Sequence, residues 1–169
     1  AVLAATLSAN YGIYGPPFEL MEHEPREPDS EEYLHSEKYE VRHWDIERKD
    51  SLRELITVVN KARRENPALQ KNTGLRFHGI DNGQLIAYSK RVDANVVLCV
   101  VNLDPKSTQS GFVTAPIEEW GIAADEPYQV HDLLSDARYT WTGPRNFVQL
   151  DPRVIPAHMA SPNDKFGTA

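Results

Sequence analysis

Leu75-Arg76-Phe77-His78-Gly79-Ile80 alternates in polarity, Asp81-Asn82-Gly83 interrupts it, and Leu85-Ile86-Ala87-Tyr88-Ser89 resumes an extended pattern. Two such runs around an Asn-Gly pair are a strong hairpin signal, because tight hairpin turns need left-handed backbone that Asn and Gly tolerate. Outward from it, Val96 to Val101 is a continuous apolar, largely β-branched run, as expected of a central strand covered on both faces. Further short extended segments follow at Gly111–Thr114, Tyr128–Leu133, Tyr139–Thr142 and Asn146–Leu150, the last two flanking Gly143-Pro144-Arg145. Short strands at this spacing predict an antiparallel β-sandwich over residues 72–160. The Pro/Asn/Gly-rich end, 161–169, reads as a frayed, flexible tail.

The first 70 residues have a different rhythm. Ala-rich residues 1–9 predict the end of a helix, which looks cut in the middle and suggests a fragment of a longer chain. Tyr11-Gly12-Ile13-Tyr14-Gly15-Pro16-Pro17-Phe18 reads as a short aromatic strand closed by Gly and two prolines. Helix then strand is the rhythm of an α/β barrel. A long loop at 19–49 follows, with Pro25 and Pro28 keeping its first half irregular. A helix over 51–66 closes the region. Ser51 and Glu54 form a capping-box pattern, and Leu52, Leu55, Ile56, Val59 and Ala62 make one apolar stripe. Lys61, Arg63 and Arg64 sit where they complement the helix dipole, and Pro67 ends the element.

The formal charge is −7, all of it in the stretch Glu19–Asp50, where 12 acidic residues face 5 basic ones. That concentration argues against nucleic acid, which needs clustered Lys and Arg. No apolar run approaches the ~20 residues that span a bilayer, so no membrane association is expected. The single cysteine, Cys99, cannot form an internal disulfide and fits a reducing, cytoplasmic compartment. It also excludes thiolate metal clusters, and the six histidines (His23, His35, His43, His78, His131, His158) lack ligand spacing; no metal or cofactor is expected. No phosphate-binding Gly loop, zinc-protease motif or esterase elbow occurs.

Two regions remain as candidates. The aromatics between Tyr11 and Phe18 suit sugar stacking, or equally the closing of a core. Within Ser36-Glu37-Lys38-Tyr39-Glu40, Lys38 offers a point charge to a phosphate, although on composition this segment reads as a solvated helix face with pairs such as Glu37–Arg42.

Leu3-Ala4-Ala5-Thr6-Leu7-Ser8 with Tyr11-Gly12-Ile13-Tyr14-Gly15-Pro16 resembles the last helix–strand junction of an α-amylase-superfamily barrel. Glu31-Glu32-Tyr33-Leu34, Ser36-Glu37-Lys38-Tyr39-Glu40 and Arg42-His43-Trp44-Asp45 narrow the resemblance to the bacterial α-1,4-glucan:maltose-1-phosphate maltosyltransferases. Val101-Asn102-Leu103-Asp104-Pro105, Gln109-Ser110-Gly111, His131-Asp132-Leu133-Leu134 and Tyr139-Thr140-Trp141 fit that family's C-terminal sandwich.

The resemblance implies an α+β chain. Residues 1–70 would be the end of a catalytic (β/α)8 TIM barrel (its last strand and helix, with loop 19–49 and closing helix 51–66), and 72–160 an amylase-type β-sandwich. It implies a retaining transfer of maltosyl units from maltose 1-phosphate to the non-reducing end of an α-1,4-glucan. It places no catalytic residue in this chain: the nucleophile and acid/base precede Ala1, so the fragment is expected to be inactive. It assigns substrate binding to Lys38 and Tyr39, partners in the remainder of the catalytic domain, and a homodimer for the full-length enzyme. The alternatives are a related amylase-superfamily hydrolase or trehalose synthase, or a non-catalytic glucan-binding or structural β-sandwich.

Overall fold

β-Branched and aromatic residues dominate the C-terminal half, and they fold into eight antiparallel strands: β1 Leu75–Ile80, β2 Leu85–Val92, β3 Asn95–Asn102, β4 Gln109–Thr114, β5 Pro127–Asp132, β6 Arg138–Thr142, β7 Arg145–Leu150 and β8 Ala157–Asp164. The computed structural model describes residues 1–164. Strand order is β6-β5-β8-β3-β2-β1-β4-β7. The hairpin read from Asp81-Asn82-Gly83 forms, with Phe77 opposite Tyr88 and His78 opposite Ala87. β1 then changes partner: Gly79 and Ile80 pair with Thr114 and Val113 of β4. In place of the two facing sheets expected of a sandwich, this switch curls a single sheet into a barrel-like wrap around one core, in which Leu98, Val113, Ile117, Val130 and Leu150 are at most 1% exposed. β3 is the covered central strand, buried from Val96 to Asn102. At ~25 cal/mol per Å² of buried apolar area, these side chains dominate the stability of the unit.

The end of the chain departs from expectation. Residues 161–164 are not a frayed tail: they complete β8, which lies between β3 and β5. The register of β8 on β5 slips, with His131 opposite Ser161 but Gln129 opposite Asp164. Pro162 falls inside that irregularity, where its missing N–H breaks no ladder bond. The rest of the expected tail, 165–169, lies outside the described residues.

The chain divides into two units: Ala1–Tyr11 with Val58 onward, and Gly12–Thr57. The first unit includes helix α1, Val2–Leu7, which has no capping side chain of its own. Its orphan carbonyls are served instead by Arg63, whose guanidinium donates to Ala5 O, Ala9 O and, at 3.2 Å, Ser8 O. Arg63 thus acts on another helix's C-terminal carbonyls, beyond the macrodipole of its own. Thr6 donates to Val2 O at 2.8 Å and meets the Tyr88 hydroxyl at 2.6 Å, both side chains being fully buried. With the threonine proton committed to Val2, Tyr88 is the donor of that bond.

Two expectations before β1 are corrected. Tyr11–Phe18 is not a strand: Gly15–Glu19 forms a short helix, α2, started by Gly15 at φ +42° and by prolines in its first turn. Pro is favoured there because its fixed φ suits a helix start. Among the described residues before β1, pairing is limited to a single bridge, Pro25 with Tyr33. Helix α3 covers Arg53–Glu65, shorter than 51–66, and Ser51 accepts a bond from Arg53 N at 3.4 Å just outside it. Val59 and Ala62 are its buried positions.

Candidate functional site

The loop 19–49 is built from turns stitched by backbone bonds. Arg26 N donates to Glu32 O at 2.8 Å and Leu34 N to Glu24 O at 2.7 Å, drawing 24–34 into a tight double-back. Ser36 is buried, its carbonyl accepting from Tyr39 N at 3.0 Å and its hydroxyl from Lys38 N at 3.3 Å. This turn replaces the helix face expected for 36–40 and leaves Lys38 and Tyr39 exposed.

Glu32 is the hub that the sequence reading missed. One carboxylate oxygen accepts from Lys38 Nζ; the other accepts from the Tyr39 hydroxyl at 3.0 Å and from Arg26 at 3.3 Å. The Arg26 guanidinium also sits 4.3 Å from the Tyr39 ring centroid, and Lys38 Nζ lies 5.0 Å from it. Bonds from Lys38 and then Tyr39 hold the Glu32 carboxyl below its ordinary value, and Glu32 in turn raises the Lys38 ammonium. Glu32 is six residues from Lys38 in an irregular loop, so no periodicity announces the pair.

Glu37 does not pair with Arg42. It accepts from the Tyr33 hydroxyl, and its bond with the Tyr14 hydroxyl raises that phenol above its ordinary value. Arg42 is a separate anchor: it stacks 4.0 Å from the Trp44 centroid, pairs with Glu22 at 3.4 Å and donates to the carbonyls of Leu34 and His35. Chemically, the surface gathers two cations, one carboxylate and one phenol. Two cations on one carboxylate leave positive charge available to an anion, and Arg and Lys are the usual phosphate ligands. Among the described residues no group of His, Cys, Asp and Glu is placed to hold a metal, and no helix is long and apolar enough to cross a membrane.

The curled antiparallel sheet has counterparts of the same fold among solved structures. It resembles AmyP, solved in complex with maltose, with a TM-score of 0.52 at 17% identity over 72% of this chain and 22% of that one, a likeness of fold. A family model described as "GLGE, C-terminal" matches residues 77–161, half of the chain, and the chain belongs to that family. It is 45% identical over 166 residues to the α-1,4-glucan:maltose-1-phosphate maltosyltransferase of Chlorobaculum tepidum, covering 94% of this chain and 25% of the relative. The same enzyme of Salinibacter ruber is 46% identical over 158 residues, and that of Methylacidiphilum infernorum 47% over 160. The chain therefore spans about a quarter of the length of the curated relatives it matches.

Proposed function

We propose that the chain is the C-terminal quarter of an α-1,4-glucan:maltose-1-phosphate maltosyltransferase, and that Lys38 and Tyr39 contact the phosphorylated donor. In this reading residues 1–70 finish a (β/α)8 barrel whose other parts carry the nucleophile and the acid/base. The domain 72–160 is its β-sandwich, and the chain by itself turns over no substrate. The full-length enzyme works as a cytoplasmic homodimer without a cofactor.

The carrying observation is the exposed cluster in which Lys38, Tyr39 and Arg26 converge on Glu32. A doubly charged phosphate competes with Glu32 for the Lys38 ammonium, so the lysine is held in place before the donor arrives and exchanges one anion for another. Once there, it stabilises charge developing on the leaving phosphate, while the Tyr39 hydroxyl donates to a phosphate or sugar oxygen. The relatives' shared name, together with similarity along 94% of this chain, supports the choice of donor and acceptor.

The test is Lys38→Ala in the full-length protein. Losing one preorganised charge contact to the transition state lowers kcat/KM for maltose 1-phosphate by about 10²–10³-fold, while glucan affinity is unchanged. Wild-type kinetics in that variant overturn the role of Lys38.

A further inference from the structure

β6 and β7 are consecutive strands joined across Gly143-Pro144, yet they pair with different neighbours, β5 and β4, and form the two ends of the strand order. Between them the wrap stays open. A cleft of about 370 Å³ lies in this seam, reaching down to core residues such as Val130 and Val148. That is the size range of small-ligand sites.

Three aromatic residues line it, each fixed by an edge contact. Trp141 stands T-shaped to Tyr128 at 6.4 Å, Tyr139 to His158 at 5.8 Å, and Phe147 to Phe112 at 5.5 Å. Rings already held in place lose little conformational freedom when a ligand arrives. Tyr139 and Phe147 are 41% and 53% exposed, so they sit at the mouth.

The polar side of the cleft is equally determined. Asp132 is fully buried and accepts from Ser135 Oγ at 2.6 Å, His158 Nδ1 at 3.0 Å, Met159 N at 3.1 Å and Leu134 N at 3.3 Å. Burial works against its ionisation, but bonds from His158 and Ser135 outweigh burial and keep the carboxyl below its ordinary value. An ionised carboxylate only accepts, so the His158 Nδ1 must donate. In the neutral ring Nε2 is then an acceptor, fixed by the second residue behind it. Gln149 and the Tyr139 hydroxyl add further hydrogen-bonding capacity. The lining includes no Lys or Arg, and its one carboxylate is already occupied by four donors. The site therefore suits a neutral ligand with flat C–H faces and hydroxyl edges.

We propose that this cleft is a pyranose-binding site, with Tyr139 and Phe147 packing on a sugar face and His158 Nε2 and Gln149 taking its hydroxyls. That the sugar belongs to an α-1,4-glucan rests on the function proposed above. The site would hold a glucan chain on the β-domain without taking part in transfer.

The experiment is calorimetric titration of the chain with maltoheptaose, with circular dichroism confirming that each variant keeps the wild-type spectrum. Tyr139→Ala and Gln149→Ala are each expected to weaken binding about fivefold, an aromatic or hydrogen-bond contact being worth roughly 1 kcal/mol. No binding by the wild type, or binding unchanged in both variants, overturns the site. Equal binding of cellohexaose, lost in the same variants, overturns the α-glucan assignment and leaves a pyranose site of other specificity. In the full-length protein Tyr139→Ala leaves turnover of maltose 1-phosphate on a short acceptor unchanged. A failure of the Lys38 reading therefore shows in turnover, and a failure of this one in binding.

Discussion

Asp132→Ala is expected to be among the most damaging single substitutions in the β-domain, and the size of the effect follows from its four donors. Met159 is fully buried and its N–H cannot turn to water when the carboxylate is removed, while the largely buried His158 ring recovers only part of its bond from the cleft side. Each such orphan costs about 1–3 kcal/mol. Ser135 and Leu134 are more accessible and recover most of their loss through solvent. The sum is about 3–5 kcal/mol, in line with breaking a buried polar pair, and a large part of a domain's total stability. Asp132→Asn retains one acceptor and lets His158 change tautomer, so it costs about 1–2 kcal/mol. Urea unfolding checks both through the midpoint, with the slope unchanged. The pH dependence has a defined sign. The folded carboxyl titrates below its ordinary value of 3.8, so its stabilisation is present above that pH and is lost as pH falls through the lower folded value. The gap between wild type and Asp132→Asn therefore narrows in acid. Asp132→Ala within about 1 kcal/mol of wild type at neutral pH refutes the four-donor reasoning.

Further substitutions test how the N-terminal helix and the turns are held. Tyr88→Phe removes the donor that Thr6 Oγ1 accepts in a fully buried contact and costs about 1–2 kcal/mol; a double-mutant cycle with Thr6→Val is expected to give a coupling above about 0.5 kcal/mol, and additive effects refute the bond's importance. Gly74→Ala forces a residue at φ +77° and drives a Cβ into Arg91 O, so it destabilises by about 2–4 kcal/mol, whereas Gly83→Ala, with open space around it, stays within about 1 kcal/mol on thermal unfolding.

The antiparallel strands were legible because they carry their own signal, whereas their closing into one barrel-like sheet and not two facing ones depends on the partner switch in β1. Alternation, β-branching and turn residues such as Asn82-Gly83 act over a few residues, and β1 through β7 all appear where those patterns lie. β8 was hidden because Pro162 and the polar residues around it imitate a loop, while its pairing partners lie about thirty and sixty residues earlier in the chain. Tyr11–Phe18 was misread for the opposite reason. Its aromatics favour extended backbone, but Gly15 at φ +42° and two prolines turn the chain into a helix instead.

The two polar centres resisted reading for a related reason. Lys38 and Tyr39 were picked out by resemblance, yet Glu32, which fixes both, sits in an irregular loop where contact follows turn geometry and not a repeat. The Asp132–His158 pair spans 26 residues and two strands, joined through the register of β5 on β8. Had β8 been read as a strand, that register would have set Asp132 opposite Ala160, two residues from His158, and brought the pair within reach. A histidine without ligand spacing is a weak signal by itself. Placed beside a buried carboxylate on a neighbouring strand, it acquires a fixed tautomer and a face toward the seam. The missed strand and the missed site are thus one omission: the polar end of the β6–β7 cleft exists because β8 carries His158 into the sheet.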